Sequence, residues 1–257
     1  MAVLSVVLVF SCLFGAGRAA GAQDASRHPI LLELFTSEGC SSCPPVDAWL
    51  QRVDAAQPVP GVQIVVLSEH VDYWDQDGWK DPYSLAMVTE RQREYAQGLG
   101  LKDVYTPQVI LNGSTVLGLT DPKAIEQAME KAAAAPAVAV QIESASVEAG
   151  KPDVLQGHIQ ALAGSPQQRG DVYVVVALDH TDSSVLRGEN SGRKLSNVAV
   201  VEQMVKIGKL EKGKNFARDF QVKLKPGTDP SNLRVVVFVQ EPNLGRVLGV
   251  AMKKDLH

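Results

Sequence analysis

Two cysteines, Cys40 and Cys43, lie three positions apart in the segment LLELFTSEGCSSCPPVDAW, residues 31–49. Cysteines at this spacing can form a redox-active dithiol, bind a metal ion, or form a structural disulfide. One such pair gives only two of the four ligands that a zinc site needs, whereas two thiolates and one histidine suit Cu(I). An inert disulfide across so short a loop removes little chain entropy. The surrounding residues must therefore decide among these functions.

The first residues, 1–22, predict a signal peptide. The apolar run AVLSVVLVFSCLFGAG is too short to span a bilayer comfortably, and AGA at residues 20–22 fits the small residues of a cleavage site. We therefore expect a mature chain that begins at Gln23, lacks Cys12 and has no transmembrane segment. Its location would be the periplasm or the extracellular space, an oxidising compartment in which the CxxC pair holds its only cysteines.

The composition excludes several classes of partner. The chain has 257 residues, of which 45% are hydrophobic and 21% charged, and its formal net charge is −4. This is an ordinary globular composition, and the mild acidity provides neither a basic field for nucleic acid nor a polybasic patch for a membrane surface.

Residues 30–135 predict the element order β-α-β-α-β-β-α. Short apolar runs at 30–36 and 61–68 are typical of buried strands, and apolar residues at helical spacing follow each of them. Two further strands at 107–119 are joined by Asn-Gly, a strong hairpin signal. Helices between the first three strands favour crossover connections and a central mixed sheet.

Residues 138–257 show a different pattern. Seven segments of alternating apolar and polar residues follow at a spacing of roughly ten residues, with turn residues between them. This number of short strands is typical of a two-sheet β-sandwich. We therefore predict a separate, β-sandwich-like all-β domain, joined to the first half by the alanine-rich segment 132–137.

In the first half, a C-x-x-C follows a buried strand and opens a helix, and a later strand begins at Thr106-Pro107. In these features it resembles thioredoxin. The resemblance implies an α/β thioredoxin-like domain with a mixed sheet, in which the X-Pro bond is cis and packs against the dithiol. It also implies that Thr106 and Pro107 bind substrate, because the backbone before the proline is free to pair with a substrate chain.

Longer stretches carry a narrower resemblance. The segments ELFTSEGCSSCPP, HVDYWDQDGWKDPYS, YTPQVILNG and RGENSGRKL are similar to a secreted bacterial family known only as domain of unknown function 1223. Its members pair a thioredoxin-like half with a β-rich half. The resemblance supports the fold and export, carries the family's C-x-x-C onto Cys40 and Cys43, and implies no substrate.

The leading hypothesis is an exported thiol–disulfide oxidoreductase that acts on protein or small-molecule disulfides. Cys40 precedes the first helical turn, where free amides and the positive end of the helix dipole stabilise a thiolate. We expect Cys40 to be the more exposed cysteine and the nucleophile, and Cys43 to resolve the mixed disulfide. The Cys40–Cys43 disulfide would be the redox group, with no other cofactor.

His70 and Glu33 are candidate proton shuttles. His70 follows the second strand, at the sheet edge where Cys40 emerges, and serves either as a proton shuttle or as a cap on backbone groups. Glu33 lies inside the first strand, where burial raises the pKa of a carboxyl and suits it to accept the proton of the second cysteine. A satisfied polar group at a sheet edge is the favoured alternative for Glu33.

Two other classes of function stay open. A Cu(I)-binding protein or metallochaperone would use Cys40, Cys43 and His70 as ligands. A non-catalytic interaction protein would use the disulfide only to stiffen a loop. The charged turn RGENSGRK, residues 187–194, is more typical of a solvated hairpin than of a surface that grips the first half or a partner.

Overall fold

The structure is a computed structural model that describes residues 27–148, 150–151, 153–165, 167–254 and 256. The predicted signal peptide, residues 1–22, lies outside the described residues. Within those ranges, none of the helices has both the length and the apolar character needed to cross a membrane.

The elements of the first half follow the predicted order. They are β1 (His28–Thr36), α1 (Pro44–Ala56), β2 (Val62–His70), α2 (Ala86–Gly98), β3 (Gln108–Leu111), β4 (Thr115–Val116) and α3 (Pro122–Ala133). β1 pairs with β2 in parallel and with β3 antiparallel, and β4 continues the sheet beyond β3. The predicted mixed sheet is therefore confirmed.

Local sequence explains the ends of these elements. Pro44 opens α1, where a missing backbone N–H costs nothing. The side chain of Asp121 caps α3 by accepting hydrogen bonds from the first-turn amides of that helix. Asn112 and Gly113 both adopt positive φ, 44° and 65°, within the three-residue turn 112–114 that joins β3 to β4.

The described residues of the second half form seven strands, which is the number that the alternating segments predicted. They are β5 (Ala139–Val147), β6 (Val154–Leu162), β7 (Gly170–Ser184), β8 (Lys194–Leu210), β9 (Phe216–Lys223), β10 (Leu233–Gln240) and β11 (Val247–Lys253). β7 and β8 are the longest, and together they form a hairpin whose turn comprises residues 185–193.

The two halves share one sheet, so the prediction of separate domains is wrong. Eight strands are ordered β11-β10-β7-β8-β2-β1-β3-β4, and β8 joins β2 in parallel at Ser68 and Val200. The physical reason lies in β2, most of whose residues are buried and whose outer edge would otherwise present unpaired backbone groups. Alternation along a strand does not show which strand it will pair with.

The helices pack on the two faces of the shared sheet. Ile30, Leu32 and Leu34 of β1 pack in one core with residues of α1 and α3, whereas Phe35 packs with residues of α2. The remaining strands, β5-β6-β9, form a second antiparallel sheet whose apolar residues pack against those of β7 and β10. The second half therefore has two layers, but its larger layer continues into the first half.

A buried arginine also connects the halves. Arg234 in β10 is fully buried and donates hydrogen bonds through both terminal nitrogens to Asp54 of α1, at 3.0 and 2.9 Å. Its Nε donates to Asp179 of β7 at 2.7 Å. The guanidinium is thus held by one carboxylate from each half.

Candidate functional site

The cysteine pair lies between β1 and α1. Cys43 is the residue immediately before α1, and its carbonyl oxygen accepts the backbone N–H of Val46 and of Asp47 in the first turn. The turn before it is closed by the N–H of Cys43, which donates to the carbonyl of Cys40 at 3.3 Å. The two cysteines are joined as a disulfide, with their Cα atoms 5.5 Å apart. The pair is therefore placed at the helix start that the sequence predicted.

Both cysteines are buried. Cys40 is 1% exposed and Cys43 is 0% exposed. Cys40 is more exposed than Cys43 by only one percentage point, so neither cysteine is accessible in this disulfide-bonded state. The reason is a segment of the second half that lies over the CxxC turn.

We call residues 185–193, the turn between β7 and β8, the cover segment. The side-chain amide of Asn190 donates to the carbonyl oxygens of Glu38 and Cys40, both at 2.9 Å. The carboxylate of Glu189 accepts the backbone N–H of Ser41 at 3.0 Å. Arg193 donates to the side-chain oxygen of Asn190 at 2.8 Å and holds that amide in place. The turn predicted to be a solvated hairpin thus has one fully buried residue, Asn190, in contact with the CxxC turn.

Beneath the turn lies a second group, the acid–histidine cluster, which comprises Glu38, Asp47, His70 and Asp81. All four are buried. Nδ1 of His70 lies 2.7 Å from Oδ2 of Asp81, and the same carboxylate oxygen accepts the backbone N–H of Glu38 at 2.8 Å. His70 is therefore linked through Asp81 to the residue two positions before Cys40. Its other ring nitrogen, Nε2, has no hydrogen-bond partner among the described residues.

Asp47 approaches the cysteines from α1. It stands four positions after Cys43, so the two share one face of the helix, and both are buried against the sheet. Its Oδ1 accepts a hydrogen bond from the hydroxyl of Thr36 at 2.8 Å. Thr36 pairs with His70 across β1 and β2, so all three lie on the α1 face of the sheet.

Burial and charge shift the pKa values of the cluster in different directions. Desolvation raises the pKa of Asp47 from its ordinary 3.8 to about 6, although the charge of His70 opposes the shift. Desolvation alone lowers the pKa of His70, but the attraction of Asp81, Asp47 and Glu38 outweighs it, and the pKa lies above its ordinary value. Burial acts to raise the pKa of Asp81, but the charge of His70 prevails and lowers it.

The carboxyl of Glu38 is held by residues from both halves. It accepts hydrogen bonds from the indole N–H of Trp79, at 2.8 Å, and from the hydroxyl of Ser183 in β7. Desolvation raises its pKa, and these two donors limit the shift. Its position two residues before Cys40 places a further titratable group at the CxxC turn.

Glu33 is a satisfied buried polar group, as the favoured alternative predicts, but it lies on the interior strand β1 and not at a sheet edge. Its two carboxylate oxygens accept hydrogen bonds from Arg91 Nε and from the hydroxyl of Tyr95, both at 2.7 Å. Both partners belong to α2, on the opposite face of the sheet from α1. The structure therefore does not place Glu33 beside Cys43, because successive strand residues point to opposite faces. The buried carboxyl on the helix face of Cys43 is that of Asp47 and not that of Glu33.

The peptide bond between Thr106 and Pro107 is cis, as predicted. Trp74 connects this bond to the CxxC turn, because its indole N–H donates to the hydroxyl of Thr106 at 2.7 Å. On its other side, the β-carbon of Trp74 lies so near Gly39 that a β-carbon built there would approach it to 3.1 Å. Thr106 and the residue before Cys40 thus contact one tryptophan.

Sequence reasoning missed two residues of the site, Asp47 and Asp81, and considered Asn190 only within the charged turn 187–194, for which a contact with the first half was the less favoured alternative. A signal existed for Asp47, since an acid one turn after Cys43 interrupts a helix face that is otherwise apolar. For Asp81 no local pattern distinguished it from other polar loop residues. For metals, the described part of the chain contains no group of three or more cysteine, histidine, aspartate or glutamate side chains placed to hold an ion.

Fold and site together define a mixed α/β protein in which a CxxC disulfide at a helix start lies beside a buried acid–histidine cluster. The family model described as "Protein of unknown function (DUF1223)" matches residues 31–240. This chain belongs to the DUF1223 family.

Solved structures give a likeness in fold. A crystal structure of an Agrobacterium tumefaciens protein is 25% identical, with a TM-score of 0.64, and the match covers 87% of this chain and 92% of that chain. Spo0M, a sporulation control protein from Bacillus subtilis, is 11% identical over 46% of this chain and 47% of its own, with a TM-score of 0.31. The latter similarity is too low to carry an argument. A search of curated protein sequences finds no significant match.

Proposed function

We propose that this chain is an exported thiol–disulfide oxidoreductase with a thioredoxin-like first half. The observation that carries the proposal is the Cys40–Cys43 disulfide at the start of α1 with a buried acid, Asp47, one turn further along the same face. A helix start stabilises a thiolate, and a buried carboxylate with a raised pKa can accept a proton near neutral pH.

The exchange proceeds by two displacements. The thiolate of Cys40 attacks a sulfur of the substrate disulfide, whose bond breaks, and the departing substrate sulfur takes a proton from solvent. The thiolate of Cys43 then attacks Cys40 in the mixed disulfide, and the second substrate sulfur leaves and is protonated. Two electrons pass to the substrate, and a thiol reductant restores the dithiol. The same steps in reverse oxidise a substrate dithiol.

Asp47 accepts the proton of Cys43 in this scheme. Cys43 must lose its proton before it attacks, and it is fully buried, so water is not in contact with it in the described state. Asp47 shares its helix face, and the charge of the His70–Asp81 pair lies beside Asp47. This proposal replaces Glu33 by Asp47 and keeps His70 as a group that sets the proton affinity of the acceptor.

Export is part of the same proposal. The apolar segment before Gln23 and a cysteine pair that is oxidised both suit the periplasm or the extracellular space. Mass spectrometry of the protein extracted from the cell envelope tests this point. A chain that begins at Gln23 supports export, and an intact Met1 or a lipid mass on Cys12 contradicts it.

The test of activity is a redox titration of the mature chain against mixtures of reduced and oxidised glutathione, together with the rate at which the chain accelerates reduction of a protein disulfide by dithiothreitol. We expect a reversible two-electron transition and acceleration that disappears in the Cys40→Ser/Cys43→Ser double variant. A chain that accelerates reduction no more than this double variant contradicts the proposal.

Cu(I) binding by Cys40, Cys43 and His70 is the second candidate. One observation favours it: Nε2 of His70 is buried without a hydrogen-bond partner in the described structure, so a soft metal that displaces the proton from this nitrogen breaks no hydrogen bond there. The same titration repeated with Cu(I) and a competing chelator separates the candidates. Loss of tight copper binding in His70→Ala, with disulfide exchange unchanged, supports the copper function.

A further inference from the structure

Side chains of the cover segment form hydrogen bonds with backbone groups beside the disulfide. The carbonyl of Cys40 and the N–H of Ser41 both bind side chains of this segment, Asn190 and Glu189 respectively. These backbone groups belong to Cys40 and to the residue after it, within the short loop that the disulfide closes. With both cysteines at most 1% exposed, the described state is closed to exchange.

The contact is made by hydrogen bonds and little apolar surface. Among residues 185–193, all of them described, Val185 next to β7 and Asn190 are buried and the other seven are exposed. Gly188 and Gly192 flank the contact, with φ values of 72° and 79° that favour glycine over other residues. A segment with few buried apolar contacts opens locally at a small part of the cost of global unfolding. The cover segment has these properties, whereas the β7–β8 hairpin that carries it is paired along its length.

We infer that the cover segment is a displaceable lid: the β7–β8 turn closes over the disulfide through Asn190 and Glu189 and must move before any thiol reaches Cys40. The inference rests on the proposed function for its biological purpose, but the closure itself is a property of the disulfide and is measurable without a substrate. The lid gives the second half a direct part in the exchange, since it decides when the dithiol of the first half is accessible.

The chemistry that reports on the lid is reduction by dithiothreitol. One thiolate of the reductant attacks Cys40, the Cys40–Cys43 bond breaks, and Cys43 leaves as a thiolate that takes a proton. The second thiolate of dithiothreitol then attacks the dithiothreitol sulfur that is bonded to Cys40, and Cys40 leaves as a thiolate that takes a proton. The products are the protein dithiol and cyclic oxidised dithiothreitol, so two electrons pass to the protein.

The experiment measures the rate of this reduction in the folded mature chain, wild type against Asn190→Ala. Two hydrogen bonds to the CxxC turn are lost in the variant, so we expect the open fraction, and with it the reduction rate, to rise about tenfold or more. Asn232→Ala is the matched control, because Asn232 also donates its amide to a backbone carbonyl, that of His180 at 2.8 Å, away from the cysteines. We expect the control to be reduced at the wild-type rate.

A second variant keeps the inference testable if Asn190→Ala does not fold. Glu189 is exposed, and Glu189→Ala removes only the contact to Ser41, so we expect a folded protein with a smaller increase in rate. Hydrogen exchange of the peptide that contains Ser41 should accelerate in the same variant. Wild-type reduction rates in both lid variants, with unchanged melting temperatures, overturn the inference.

The two proposals fail separately. Faster reduction of the lid variants without acceleration of protein-disulfide reduction supports the lid and contradicts the oxidoreductase. The opposite result is also possible: the wild type accelerates protein-disulfide reduction, but its own disulfide is reduced as fast as that of the lid variants. This result supports the oxidoreductase and contradicts the lid.

Discussion

Asn190 and Cys40 stand 150 positions apart in the chain, yet the side-chain amide of Asn190 donates to the backbone carbonyl of Cys40 at 2.9 Å. The cysteine belongs to the first half and the asparagine to the turn of a hairpin in the second. The candidate site is therefore built by both halves, and the roles of its residues can be tested one at a time.

The first prediction concerns the two cysteines. In Cys43→Ser, Cys40 can attack a substrate but nothing resolves the mixed disulfide, so the variant should accumulate a covalent partner under non-reducing conditions. Cys40→Ser should trap none, because its remaining cysteine, Cys43, is fully buried and only resolves the mixed disulfide in the proposed exchange. Non-reducing electrophoresis followed by mass spectrometry of the trapped species makes the comparison. Equal trapping by both variants would contradict the assignment of Cys40 as nucleophile.

The second prediction concerns Asp47. A carboxyl whose pKa rises from 3.8 to about 6 on folding favours the folded state only while it is protonated, so the free energy of unfolding falls between those pH values. Asp47→Asn keeps an oxygen for Thr36 and removes the ionisation, so the variant should be more stable than wild type near neutral pH, by about 3 kcal/mol. The difference should disappear near pH 4, at which both side chains are neutral in the folded state.

Urea unfolding at several pH values measures this difference. The same variant should slow resolution of the mixed disulfide, because Cys43 loses its proton acceptor. Asp121→Asn is a suitable control, since Asp121 is an exposed acid that also sits at a helix start. A variant that is less stable than wild type at all pH values would show that the Asp47 carboxylate is itself stabilising.

The third prediction concerns the His70–Asp81 pair. The raised pKa of His70 contributes stability that is fully present below the ordinary pKa of histidine and is lost as pH rises through the folded value. The lowered pKa of Asp81 contributes stability that is present above its ordinary value and lost as pH falls through the folded one. The pair is therefore most stabilising between about pH 4 and 6.5.

Asp81→Asn removes one partner of this buried pair and should cost about 3–5 kcal/mol within that window. In the same variant the pKa of His70, followed by NMR of its ring protons, should fall. His180 is a useful internal reference, because it is exposed and pairs with Asp182 rather than with Asp81. An unchanged His70 titration would mean that Asp81 does not set its protonation.

The fourth prediction concerns Arg234, which joins the halves. Arg234→Ala leaves the carboxylate of Asp54 without its bidentate partner and should lower the free energy of unfolding by about 3–5 kcal/mol. Arg93→Ala is the matched control, since Arg93 is exposed and pairs with Glu90 on the surface of α2, and such pairs contribute about 0.5 kcal/mol or less. Chemical denaturation compares the two. Equal losses would contradict a special role for Arg234.

Most elements of the fold could be predicted from the sequence, because periodicity and turn residues are local properties. The Asn112-Gly113 hairpin and the start of α1 at Pro44 are examples. The pairing of Ser68 with Val200 could not, because a strand's own residues do not identify its neighbour in the sheet. The prediction of separate domains failed at that point.

The candidate site divides in the same way. The sequence placed Cys40, Cys43 and His70 at one edge of the sheet, since parallel strands end together, and the structure has them there. The proton-acceptor role for Glu33, which was the less favoured of its two predictions, needs the face covered by α1, whereas Glu33 lies on the face covered by α2. The burial of Cys40 depends on Asn190, and no rule of local sequence reports a contact across most of the chain.

The junction between β2 and β8 has a consequence for biogenesis. Ribosomes deliver β2 long before β8, so a nascent chain that has folded its first half still presents the apolar outer edge of β2 with no strand to pair with. Such an edge is a template for aggregation until the second half arrives. Export of an unfolded chain that folds only when complete would avoid the time during which β2 lacks β8. A chain truncated before Lys194 should depend on chaperones to stay in solution.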